Sequence, residues 1–164
     1  MQEFIKTITA YQLANHLLPG VLFAILAERL TKYSFVQEPL VLGLFLYFFL
    51  GIVLSRLGSL FLEPLLKRLR VIDFVPYDDF IGAAREDPKL ELLSEINNSY
   101  RTYLALFLSL LLLRGYEAAE SHFPALAAWS PSLLVVLLAA LFLLSYIKQT
   151  TYITRRARKQ KDQR

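Results

Sequence analysis

Long apolar blocks alternate with charged stretches along this chain. The first block carries no Asp, Glu, Lys or Arg from Thr7 to Ala27. The second starts at Pro39, reads LVLGLFLYFFLGIVLS and reaches Leu62, interrupted by Arg56. The third, Thr102 to Leu113, lies between Arg101 and Arg114. The fourth is a Leu/Val/Ala run from Ser132 to Ile147 that Pro131 starts and Lys148 closes. A helix rises about 1.5 Å per residue, so a hydrocarbon core of ~30 Å takes roughly 20 residues to cross. No block shows the two-residue alternation of a membrane β-strand. The pattern predicts an all-α integral membrane protein: a four-helix transmembrane bundle with spans at about 8–28, 39–62, 100–116 and 131–148. The third block is short and reaches across only if Arg101 and Arg114 snorkel.

Between spans two and three the polar pattern changes. Residues 67–99 read as a small cytosolic helical hairpin. Pro76 ends the extended VIDFV stretch, and Asp78 is placed to cap a short helix with Phe80, Ile81 and Ala84 on one side. Asp87-Pro88 reads as a cap and first-turn proline for a second helix, with Leu90, Leu93 and Ile96 at helical spacing. No breaker separates that helix from the third block, so one long helix is expected. The other two connections, Glu28–Glu38 and Gly115–Ser130, read as short loops. Tyr116 and Trp129 stand where interfacial aromatics collect.

Composition sharpens this picture. The 164 residues are 55% apolar, against about 45–50% in soluble domains, and the excess sits in the four blocks. The chain therefore reads as a single membrane domain, 1–164. With no cysteine, disulfides and thiol chemistry are excluded. The opening MQEFIKTI is followed by no small-residue cleavage site, so the first block is expected to stay as a span.

Charge gives an orientation. Lys6, then Lys67, Arg68, Arg70, Arg85, Lys89 and Arg101, then Lys148, Arg155, Arg156, Arg158, Lys159, Lys161 and Arg164 fall on one side of the proposed spans. Only Arg29, Lys32 and Arg114 fall on the other. The basic side is expected to be cytosolic, with both termini there, as in a bacterial inner membrane. Arg155, Arg156, Arg158, Lys159 and Lys161 of the 149–164 tail are expected to contact anionic lipid at the inner surface. Nucleic acid is not expected, because the tail lacks stacking aromatics.

Polar groups within spans are costly and so carry functional hypotheses. Asn15, His16, Arg56, Glu63 and Asn97 fall at similar inner depth, which predicts an intramembrane polar cluster. The plainer alternative is that Arg56 snorkels or pairs with Glu63 while Asn15 and His16 fix packing. Pro19-Gly20 predicts a kink in span one. Gly43, Gly51, Ser55 and Ser59 form a small-residue stripe for close helix packing, within the chain or between copies.

The two histidines, His16 and His122, fall at opposite ends of the spans, and no HExxH, GxSxG or phosphate-loop pattern occurs. Asp78-Asp79 resembles the acidic pairs that bind Mg²⁺ in lipid-phosphate enzymes, but lacks further carboxylates at helical spacing. The expectation is no catalytic residue, metal or cofactor. In size and layout the chain has a general likeness to small multi-span bacterial proteins encoded with phage-defence or stress modules. The sequence thus reads as a non-enzymatic membrane subunit that self-assembles or binds a cytosolic protein, with a pore-forming or gating role in view. A small transporter or ion-binding protein is one alternative, and a lipid-modifying enzyme using Asp78 and Asp79 is another.

Overall fold

A computed structural model describes residues 13–162, and they form helices with no strand among them. A π-helical turn, Leu13–Leu17, runs into α1, Leu18–Leu30. Next come α2, Leu40–Arg68, and the short α3, Tyr77–Glu86. The last two, α4, Lys89–His122, and α5, Ala125–Asp162, are the longest. Among the described residues, α2, α4 and α5 are long and apolar enough to cross a membrane. Residues 8–12 of the first expected span lie outside the described residues.

Two prolines shape the first two helices. Proline has no N–H, and its ring collides with the carbonyl four residues back. The helix widens before each of them. The turn Leu13–Leu17 precedes Pro19, and a second π-helical turn, Gly58–Leu62, precedes Pro64 inside α2. Wider i→i+5 bonding moves the clashing carbonyls aside without ending the helix. The break expected at Pro19-Gly20 thus takes the form of a π turn leading into α1.

The core is built by α1, α2 and α4. Phe23 and Ala27 of α1 pack with Leu54 of α2 and with Leu106 and Leu110 of α4. Ala24 and Ala27 are fully buried, so their small size sets how closely α1 approaches its neighbours. The crossing of α1 on α2 is closer still. A Cβ on Gly51 would lie 1.8 Å from the His16 carbonyl oxygen, and one on Gly20 would lie 1.7 Å from that of Tyr47. The two backbones touch there, as small residues permit in membrane helices. Within the expected small-residue stripe only Gly51 makes this crossing. Gly43 faces the ring of Tyr47 on its own helix, Ser59 contacts α5, and Ser55 is half-buried.

Helix ends differ from expectation in three places. The connection expected over Gly115–Ser130 is helical: α4 runs on to His122, α5 begins at Ala125, and Phe123-Pro124 alone join them. Pro124 pushes Phe123 out of helical geometry (φ −127°, ψ 81°), which ends α4. Pro131 therefore lies inside α5 and does not start it. The second difference is at α3, which begins at Tyr77 with Pro76 preceding it and no side-chain cap, so Asp78 lies in the first turn. The third is the basic tail, which is not a separate segment because α5 continues through it to Asp162.

Two other ends follow their local chemistry. Asp87 accepts the Lys89 N–H at 3.0 Å and starts α4. At the end of α2, Arg70 takes the left-handed conformation (φ 57°), while its N–H reaches Lys67 O and that of Val71 reaches Leu66 O. This is a Schellman closure with arginine in the place that glycine usually fills.

Length separates α4 and α5 from the membrane requirement. At ~1.5 Å per residue they extend roughly 50 Å or more, well beyond a ~30 Å core. Both must project past it.

The crossing supplies a stability test. Gly51→Ala is expected to destabilise the protein by about 2 kcal/mol or more, because no side chain can yield to the new methyl group. Gly115→Ala, in α4 with nothing within 4 Å of the added Cβ, is expected to stabilise by about 0.5–1 kcal/mol. Reversible unfolding in mixed micelles measures both.

Candidate functional site: two polar layers at the helix ends

Charged side chains gather in two layers, one at each end of the apolar helices. One layer, termed inner because it lies at the end that carries most of the basic residues, is centred on Glu63. Its Oε2 accepts from Arg101 Nη1 and its Oε1 pairs with Lys67 at 3.2 Å, one helical turn away. Lys67 also sits over the Phe74 ring, 4.2 Å from its centre. Lys148 enters from α5 and donates to both Ser59 O and Ser59 Oγ at 2.7 Å.

Pro64 explains the bond to Ser59 O. In the second π turn the Glu63 N–H bonds five residues back, to Gly58 O. The next donor in that register would be Pro64, which has no N–H, so Ser59 O is left for another donor. Lys148 supplies one. This single ammonium ties α5 to α2, together with the stacked Phe49 and Phe142 rings, whose centres are 5.9 Å apart.

A second contact lies beside this layer. Asn15, in the first π turn, is buried and accepts a hydrogen bond from Ser99 Oγ of α4. His16 packs edge-on against Phe48, with ring centres 5.7 Å apart, and its Nδ1 is buried without a partner among the described residues. Arg56 lies within electrostatic reach of both His16 and Lys148.

The five residues expected to cluster are therefore distributed as follows. Asn15 joins α4, His16 faces α2 and Arg56, and Glu63 holds the ionic centre. Asn97 is exposed, and Ser99 makes the contact to Asn15 instead. A pairing of Arg56 with Glu63 is not observed, since the Glu63 oxygens are taken by Arg101 and Lys67. Arg101, Lys148 and Ser99 complete the layer, and the sequence pattern did not single them out. In sequence Arg101 stands at the same inner depth as the expected cluster, at the start of the third apolar block, and Lys148 closes the fourth.

The outer layer is centred on Glu120 and was not anticipated. Its carboxylate is buried although it stands near the end of α4. It pairs with Lys32 and accepts from Tyr33 Oη at 2.7 Å and from Ser130 Oγ at 2.6 Å. Tyr116 Oη lies 2.7 Å from the same Ser130 Oγ. Beside it, the Lys32 N–H donates to Glu117 at 3.1 Å, and Arg114 reaches back to Leu30 O. One carboxylate thus joins the α1–α2 connection, the end of α4 and the start of α5. Burial, together with the neighbouring Glu120, pushes the Tyr33 phenol well above its usual pKa, so it remains a donor.

Among the described residues no three His, Cys, Asp or Glu side chains group to hold a metal ion. Asp79 is exposed in the first turn of α3, beside Asp78. Of the basic residues expected at the lipid surface, Arg155, Arg156 and Arg158 are exposed on α5. Lys159 and Lys161 follow on the same helix, with side chains outside the described set.

Apolar helices bounded by charged layers fit a bilayer, where ionic groups belong at the headgroups. The chain is a membrane protein. Comparison with protein-family models, characterised proteins and solved structures gives no match.

The outer layer makes a specific prediction. Glu120→Ala is expected to release the 31–38 connection and speed its amide hydrogen exchange. Glu117→Ala removes the acceptor of the Lys32 N–H, so it is expected to speed that amide alone and to change the rest of 31–38 far less. Hydrogen-exchange mass spectrometry of the two variants in lipid discs distinguishes them.

Proposed function

We propose that this protein is a four-span, non-enzymatic membrane subunit that self-assembles, with both ends on the cytosolic side of a bacterial inner membrane. The orientation rests on the fourteen-to-three distribution of basic residues described above. The fourth span in this reading is α1 together with the segment before it.

One observation carries the self-assembly. Past the apolar section, α5 continues as an exposed basic helix bearing Arg155, Arg156 and Arg158. On the same side, α3 and the start of α4 expose Asp79, Glu86, Asp87, Glu91 and Glu95. None of these side chains forms an ion pair within the chain among the described residues. The two surfaces are complementary in charge and each is unpaired in a single copy, so neighbouring copies offer each other the missing partner. The lateral surface of α5 supports the same reading. Within its most apolar window only 6% is buried.

In this reading a conducting path runs between copies. The α1–α2 crossing has no room for a methyl group, so a path through that part of one chain is closed.

Mass measurement of the complex in native lipid discs tests the proposal. A discrete homo-oligomer is expected, weakened by high salt because the contacts are solvent-exposed charges. Arg155→Glu/Arg156→Glu/Arg158→Glu is expected to dissociate it, and adding Glu91→Lys/Glu95→Lys to restore it. A monomer at every salt concentration would contradict the reading. So would a single copy bound to a different protein, which would make the chain an anchor.

A further inference from the structure

We propose that the inner ends of α2, α4 and α5 form a binding site for the phosphate of an anionic phospholipid headgroup, built by Lys67, Arg101 and Lys148 with Arg56 beside them. This does not depend on self-assembly. It rests on the excess of cations over anions in the inner layer and on the depth at which they stand.

Lys148 lies within electrostatic reach of Glu63, Arg101, Lys67 and Arg56. Three cations, Lys148, Arg101 and Lys67, thus act on the one Glu63 carboxylate, and Arg56 adds a fourth positive charge beside Lys148. Glu63 divides its two oxygens between Lys67 and Arg101. Lys148 receives neutral oxygens from Ser59, and no carboxylate. Arg101 Nε is buried with no acceptor among the described residues. Uncompensated positive charge is costly where water is scarce, so the layer favours a further anion.

Depth identifies the anion. Glu63 follows the apolar run of α2, Arg101 precedes that of α4, and Lys148 closes that of α5. All three therefore stand where hydrocarbon gives way to headgroups, and the anion abundant at that depth is a lipid phosphate. Access is open from the side of Lys67, whose side chain is 44% exposed. Basic pockets between membrane helices take anionic headgroups for the same reasons, with arginine offering a fork and lysine a point charge. This pocket is distinct from the basic extension of α5. Arg155 lies about 10 Å farther along the helix than Lys148, at ~1.5 Å per residue.

Retention of phosphatidylglycerol against phosphatidylcholine by the full chain, read by native mass spectrometry, tests the site. Preferential retention of phosphatidylglycerol is expected. It should fall roughly tenfold or more in Lys67→Gln/Lys148→Gln, since two cations near the phosphate are lost. The conservative variant Lys148→Arg should keep it, which separates lost charge from lost folding. Arg29→Gln, an exposed cation at the opposite end of the bundle, should leave it unchanged, and millimolar inorganic phosphate should not displace the lipid. Equal retention of the two lipids would overturn the proposal, as would an unchanged preference in Lys67→Gln/Lys148→Gln. Full displacement by inorganic phosphate would assign the site to the free anion and overturn the lipid.

Discussion

Two helix backbones in direct contact set the frame of this molecule. Gly20 and Gly51 let α1 and α2 cross with no side chain between them. That contact fixes the height of one helix against the other, and with it the level of Asn15 and His16. Because α1 and α2 cannot slide, the face they share with α4 can close on Phe23, Ala27, Leu54, Leu106 and Leu110. Hydrocarbon supplies no hydrophobic force to push helices together, so close backbone packing must do much of this work.

The polar layers follow from the same solvent. A bilayer core offers no water to an ammonium, a carboxylate or a freed carbonyl, so each must find a partner or reach the headgroups. Pro64 frees a carbonyl at Ser59, and Lys148 from another helix satisfies it. Glu63 is held between Lys67 and Arg101. At the far end Glu120 gathers Lys32, Tyr33 and Ser130. The two layers act as clamps on opposite ends of a bundle whose middle is apolar. Helix α5 depends on them most, since little of its apolar surface is covered.

What the sequence disclosed and what it hid divide along physical lines. Hydrophobic blocks are a property of composition, so the apolar stretches of α2, α4 and α5 were legible, and so was the unbroken run of α4 from Lys89 inward. Connections were less so. The stretch Gly115–Ser130 contains Gly115, Pro124 and several charges, which suggested a loop. Helix geometry overrides that composition because Glu120 is buried and Ser130 caps it from the next helix. Pro131 reads as a helix start, yet it is accommodated within α5. Site residues were legible only where polarity interrupts an apolar run, as at Asn15, His16, Arg56 and Glu63. Ser99, Arg101 and Lys148 stand at block edges, where polarity is ordinary, and only three-dimensional proximity gives them partners. Asn97 and Ser99 differ by two positions on a helix, enough to turn one outward and the other toward Asn15. The π turns before Pro19 and Pro64 leave no mark in hydropathy at all.

The central claim is that α4 and α5 cross a bilayer with their charged layers on opposite faces. Since the chain has no cysteine, single-cysteine variants give an unobstructed readout. Lys89→Cys, Ser121→Cys and Gln149→Cys would be treated in sealed vesicles with a membrane-impermeant thiol reagent. With α4 and α5 both crossing, Cys at 89 and 149 label from one side and Cys at 121 from the other. Labelling of all three from the same side would contradict that crossing.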